Sequence, residues 1–151
     1  MASSSPQLTL LNKLLALEYE QMESYAVALK HLANDADRRK LSAFMDEHAL
    51  HAQALTKHVI ALGGGVVDHA DLRKVLAKGR VILGAMMGDR AIVEAIRHNE
   101  EVTRQAYLQA VSAKMPDDLH ALLEQILREE LRHSAWIEGR MGPHLPTHDT
   151  P

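Results

Sequence analysis

The stretch Glu47-His48-Ala49-Leu50-His51 is answered by Glu129-Glu130-Leu131-Arg132-His133, an offset of 82 positions that constrains the fold more than any other feature of the sequence. Glu18/Glu100, Tyr25/Tyr107, Ala28/Ala110, Asp35/Asp117, Leu41/Leu123, Glu47/Glu129 and His51/His133 are identical at this offset, whereas His48 answers to Glu130. When acid, phenol and imidazole recur at fixed positions over so long a period, the chain reads as two copies of one supersecondary unit that bury their apolar faces against each other.

The periodicity says what that unit is. From Leu8 to Leu32 the residues Leu11, Leu14, Leu15, Met22, Tyr25, Leu29 and Leu32 recur at helical spacing without an interrupting Gly or Pro, and Glu18 falls inside the same stripe. A second helix is expected from about Asp35, where aspartates suit free N–H groups, to the Gly63-Gly64-Gly65 stop. It carries Leu41, Phe44, Met45, Leu55, Val59 and Leu62, with His48 and His51 among them. A third runs from about Arg90 to Lys114 with Val93, Ile96, Thr103, Tyr107 and Val111 on the face that holds Glu100. Pro116-Asp117-Asp118 opens the fourth, since proline suits a first turn and acids complement the helix dipole. Leu119, Leu123, Ile126, Ile137 and Met141 mark its buried side, which also holds Glu130 and His133, and Gly142-Pro143 ends it. Between Gly65 and Asp89 a polar patch leads into an apolar run punctuated by glycines, read as a short helix within a long crossover. The expected fold is all-α, an antiparallel four-helix bundle of two helix pairs. The expected divisions are an N-terminal extension at 1–7, the bundle at 8–141 and a flexible tail at 142–151.

Geometry brings the polar residues together. With turns near residues 35 and 116, Glu18, His48 and His51 on one pair, and Glu100, Glu130 and His133 on the other, all lie roughly 20 to 25 Å from the turn. Taken alone, a buried glutamate pairs with Arg or Lys and a buried histidine is a hydrogen-bonded core residue. Three carboxylates and three imidazoles converging in mid-core cost several kcal/mol each if left unpaired, and divalent cations satisfy them together. Tyr25, Tyr107 and Trp136 read as core fillers whose polar atoms reach a partner. His31, His58, His69, His98, His120, His144 and His148 show no pair at ligand spacing on a core face and read as solvated. Glu47 is turned about 100° from the inward face and is no substitute ligand.

Composition removes other classes. A net charge of −3 with acids and bases spread along the chain gives no basic field for nucleic acid or anionic lipid, and leaves little surplus acid to line an iron-storage cavity. The absence of cysteine confines any metal to oxygen and nitrogen donors. No leader or membrane span is visible, so the expected location is the cytoplasm. The apolar, methionine-bearing run Val81 to Met87 is read as a subunit contact of a homo-oligomer, a dimer in the simplest case.

Two helix pairs with an inward Glu on the first and third helices and a Glu-x-x-His pair on the last resemble the ferritin-like di-iron carboxylate proteins. The resemblance covers Leu8 to Met141. The run Ile126 to His133 is similar to the corresponding run of bacterioferritins and rubrerythrins. The Glu-x6-Tyr spacing and the Leu62-Gly-Gly ending look most similar to small bacterial ferritin-like domains of unassigned function. It implies iron, mononuclear or dinuclear, with manganese or zinc as substitutes. Glu18 and Glu100 are then terminal ligands, Glu130 a bridge, and His48, His51 and His133 nitrogen donors. His48 departs from the pattern, which has Glu there. Three carboxylates balance less charge than two divalent ions bring, so the set suits a lower oxidation state, an exogenous bridge, or a single Fe, Mn or Zn ion. Two functions stay open: a metal site reactive toward dioxygen or peroxide, and a non-catalytic structural or interaction bundle with a metal-free or structurally metallated core.

Overall fold

The computed structural model describes residues 5–65 and 88–142, and among these the regular structure is helical throughout. Four helices, α1 (Pro6–His31), α2 (Asp35–Ala61), α3 (Asp89–Ala110) and α4 (Asp117–Met141), follow the order expected. None is long and apolar enough to cross a membrane. The short crossover helix, the Val81–Met87 contact and most of the C-terminal tail lie outside the described residues.

Local chemistry sets the helix ends. The first helix starts two residues ahead of the expected Leu8, because Pro6 fits the opening turn and the Ser5 hydroxyl accepts from the Leu8 N–H at 3.1 Å. Asn34 caps α2 by accepting from the Asp37 N–H at 2.9 Å, and Gly63, at φ 81°, supplies the left-handed residue that ends it. Ala110 ends α3 four residues before the expected Lys114. There the chain tightens, with Ser112 donating to the Gln109 carbonyl at 3.2 Å and Ala113 to that of Ala110 at 3.1 Å, ahead of Pro116. Among the described residues His120 departs from the solvated reading: a ring nitrogen donates to the Val111 carbonyl at 2.8 Å and ties the start of α4 to the end of α3.

Each neighbouring pair of helices is antiparallel. Between α1 and α3, Glu18 meets Tyr107 while Tyr25 meets Glu100; between α2 and α4, His51 meets Glu129 while Asp37 meets Arg140. Since α2 and α3 therefore point the same way, the connection between them must return the length of a 27-residue helix, about 40 Å. The far end confirms this course: the Asp89 carboxylate at the head of α3 accepts from the N–H groups of Ala33 and Asn34, 2.9 Å each, in the α1–α2 turn.

The core has three layers along the bundle. Tyr25, Leu41, Phe44, Ile92, Ile96 and Ile137 belong to one apolar cluster, and Leu11, Leu14, Leu55, Tyr107, Leu123 and Ile126 to another. The buried Glu and His residues lie between them. The five residues Leu14 to Glu18 are all buried because α1 packs against both α2 and α3. Its α3-facing seam is polar: Gln21 donates to Thr103 at 2.7 Å and Asn99 to Ser24 at 3.2 Å. Met22 and Leu29, expected in the stripe, are consequently only half-buried.

Candidate metal centre

All six residues singled out from the sequence reach the middle layer. Glu18, His48, Glu130 and His133 are completely buried, Glu100 is 1% exposed and His51 4%. One ligand atom from each of Glu18, His48, His51 and Glu130 lies within 4.8 Å of the others, and the same is true of His48, Glu100, Glu130 and His133. The two groups share His48 and Glu130, which correspond at the 82-residue offset. Two half-sites thus face each other across the bundle.

His48 sits between them with one ring nitrogen for each. Its Nδ1 donates to Glu18 at 2.7 Å and its Nε2 donates to Glu100 at 2.9 Å, while Glu130 lies 3.4 Å from Nδ1. Burial opposes a charged imidazole, but Glu130, Glu18 and Glu100 together outweigh it and raise the His48 pKa well above the ordinary value. Burial likewise works to raise Glu18, yet His48 and then His51 hold its carboxyl down to about 2. Glu130 goes the other way: burial and the neighbouring Glu100 push it well above the usual carboxylate range.

The other two histidines are held from outside. His51 donates from Nε2 to Glu129 at 2.5 Å, and His133 from Nε2 to Glu47 at 2.6 Å, so each leaves Nδ1 for the centre. Those Nδ1 atoms lie 3.5 Å from Glu18 and 3.7 Å from Glu100, respectively. Such a carboxylate behind a histidine fixes its tautomer and ring orientation and makes it a better donor toward a metal. Arg132 also pairs with Glu47; burial raises that carboxyl, but Arg132 and His133 prevail and lower it. Both acids bridge the α2–α4 side, where the helices approach each other least. The tyrosines complete the pattern as expected of core fillers with polar partners: Tyr25 donates to Glu100, and Tyr107 to Glu18 at 2.6 Å. Burial, then the adjacent glutamate, pushes both phenols well above their ordinary pKa.

Sequence reasoning missed Glu47 and Glu129 as functional residues. Their identity at the 82-residue offset was the available signal. Helical phase set Glu47 off the inward face, but phase within one helix says nothing of a side chain that reaches a neighbouring helix, as Glu47 and Glu129 both do.

Several buried atoms at the centre lack a hydrogen-bond partner among the described residues: His51 Nδ1, His133 Nδ1, both oxygens of Glu130 and Oε2 of Glu100. Orphaned polar atoms in a protein interior are costly, and a cluster of nitrogen lone pairs and carboxylate oxygens fits a cation. The donor set present therefore suits a divalent transition metal.

A family model of the ferritin-like domain matches residues 7–143. The chain belongs to the ferritin-like domain family. No curated protein matches it.

Proposed function

We propose that the protein binds one or two divalent iron, manganese or zinc ions, iron first, between the four helices. The observation that carries this reading is the set of partnerless inward atoms on His51, His133, Glu100 and Glu130, two of them on imidazoles fixed from behind by Glu129 and Glu47. Glu18, His51 and Glu100, His133 serve the two half-sites, and Glu130 and His48 lie between them. A bound redox metal supplies electron transfer to dioxygen or peroxide; the chain supplies ligands, a dry apolar surround and two phenols that donate to the terminal carboxylates. With three carboxylates and no fourth, a single ion is balanced more fully than two.

A second reading has its own observation. The hydrogen bonds from His48 to Glu18 and Glu100 are those of a self-satisfied polar core, and they favour a non-catalytic structural or interaction bundle. Metal analysis of protein purified without an affinity resin, followed by uptake of Fe(II), Mn(II) and Zn(II), separates the two. The metal reading expects a buried stoichiometric ion that chelators remove slowly. Protein that emerges metal-free and takes up none of the three ions sinks it. Peroxide-dependent spectral change in an iron-loaded sample then distinguishes redox chemistry from binding alone.

A further inference from the structure

The internal repeat is broken where α3 meets α4. A cavity of about 40 Å³ lies there, lined by Glu100, Arg104, Ser134 and Ile137 together with the Arg97–Glu138 pair. At the positions 82 residues earlier, Glu100 corresponds to Glu18, Arg104 to Met22, Ser134 to Ala52, Ile137 to Leu55 and Arg97 to Leu15. Leu15, Ala52 and Leu55 are packed into the apolar core, with Met22 against them. Apolar side chains cover the Glu18 half, whereas the Glu100 half borders a polar cleft.

Two atoms in that lining are left without partners. Glu100 spends Oε1 on Tyr25 and His48, and its Oε2, on a side chain 1% exposed, has none. Arg104 donates from Nη2 to Glu101 at 3.0 Å, but its buried Nε has no acceptor among the described residues. Glu100 and Arg104 line the same small cavity, and a carboxylate beside a guanidinium suits an occupant that both donates and accepts. The volume holds about three waters. Two further grooves among the described residues, at Leu29–Ser42 and Tyr19–Ala49, the second lined by Met22, include none of the six central residues.

The geometry points to this cleft as the binding and access site for a small polar ligand, of the size of water, peroxide or azide, which approaches the centre from the Glu100 half with Arg104 as its hydrogen-bond donor. It rests on the metal-binding reading, since the ligand's destination is the metal bound beside Glu100 and His133. The asymmetry assigns the two halves different tasks: the Glu18 half holds an ion away from solvent, and the Glu100 half admits the exogenous ligand.

Azide binding to cobalt(II)-loaded protein, followed through the visible absorption of the metal, tests this. Arg104→Met installs the residue found at the corresponding position of the Glu18 half, and Ser134→Leu narrows the cavity without replacing a ligand. Both are expected to weaken or slow azide binding at least about tenfold, the worth of one hydrogen bond to a charged group. Cobalt affinity by calorimetry and the melting curve should stay as in the parent. Loaded protein that binds azide alike in all three forms, or that binds none in the parent, overturns the cleft alone. So does a loss of cobalt affinity that accounts for the whole azide effect. A parent that takes up no cobalt overturns the metal reading, and the role of the cleft with it.

Discussion

At Glu130 both carboxylate oxygens are buried without a hydrogen-bond partner, and burial with Glu100 nearby holds the group well above its usual pKa. Such a carboxyl favours the metal-free fold when protonated and opposes it when ionised. Glu130→Gln is therefore expected to leave the metal-free protein at least as stable as the parent while removing the rise in melting temperature that a divalent ion gives. For the parent that rise reflects about 2.7 kcal/mol at an ion concentration 100 times Kd. Calorimetry with and without Zn(II) or Mn(II) reads both halves, and an undiminished metal-induced rise in the variant rules out Glu130 as a ligand. Glu47 and Glu129 call for a separate experiment. Glu47→Gln or Glu129→Gln keeps the shape but weakens the hold on His133 or His51, and should cost about 10- to 100-fold in metal affinity. Unchanged affinity in both would show that the outer carboxylates are surface ion pairs only. The six inward residues were legible because their phase within each helix is local information. That each outer acid grips the opposite copy's histidine was not, since identical residues at a fixed offset reveal equivalence and not pairing.

At the scale of elements, helix existence followed from spacing and helix ends from capping, with errors of two to four residues where Ser5 extended α1 and the tightening before Pro116 shortened α3. Gly64 is the junction most exposed to substitution. A Cβ there meets Leu8 Cδ1 at 2.6 Å, Val59 Cγ1 at 2.8 Å and the Val59 carbonyl oxygen at 3.0 Å. The last of these is backbone that accepts the Gly64 N–H at 2.9 Å, so it cannot move aside without loosening the end of α2. Gly64→Ala should cost about 1–3 kcal/mol, the range for overpacking a well-filled site. Urea denaturation of the metal-free protein measures it, and a midpoint equal to the parent's shows that the chain relaxes freely there. The polar seam of Gln21, Ser24, Asn99 and Thr103 was missed for a simple reason. Hydrophobic periodicity marks only the apolar part of a buried arc, and α1 is buried on two sides.

For the whole molecule the electrostatics of the centre set a pH window. Glu18 falls from 4.5 to about 2 on folding, so its contribution is fully present above pH 4.5 and is lost as pH drops from there toward 2. That contribution is on the order of 3 kcal/mol. His48 is raised, so its contribution is present below its unfolded value of 6.5 and is lost as pH rises through its higher folded value. Glu130 is raised as well, so its contribution is present below 4.5 and is lost as pH rises above that value. Metal-free protein is therefore expected to be most stable near pH 4.5 and to lose stability on either side. Urea midpoints across pH 2 to 9 check this, and a midpoint that stays flat from 5 down to 2 contradicts it. Assembly is tested separately. If Val81–Met87 forms the contact of a homodimer, Met86→Glu with Met87→Glu should give a monomer in sedimentation equilibrium. An unchanged mass in the double variant sets that contact aside.

The sequence by itself determined the helix order, the identities at an 82-residue offset and the six polar residues at one level of the bundle, because each depends on spacing along a single helix and on an offset that can be counted. Only the tertiary structure decided which ring nitrogen meets which carboxylate, that Glu47 stands behind His133 and Glu129 behind His51, and that Arg104 and Glu100 line one small cavity with Ser134. Those choices are made between side chains tens of residues apart in the chain. What a residue touches across a helix interface depends on the register and separation of two helices, and neither is written in the periodicity of one.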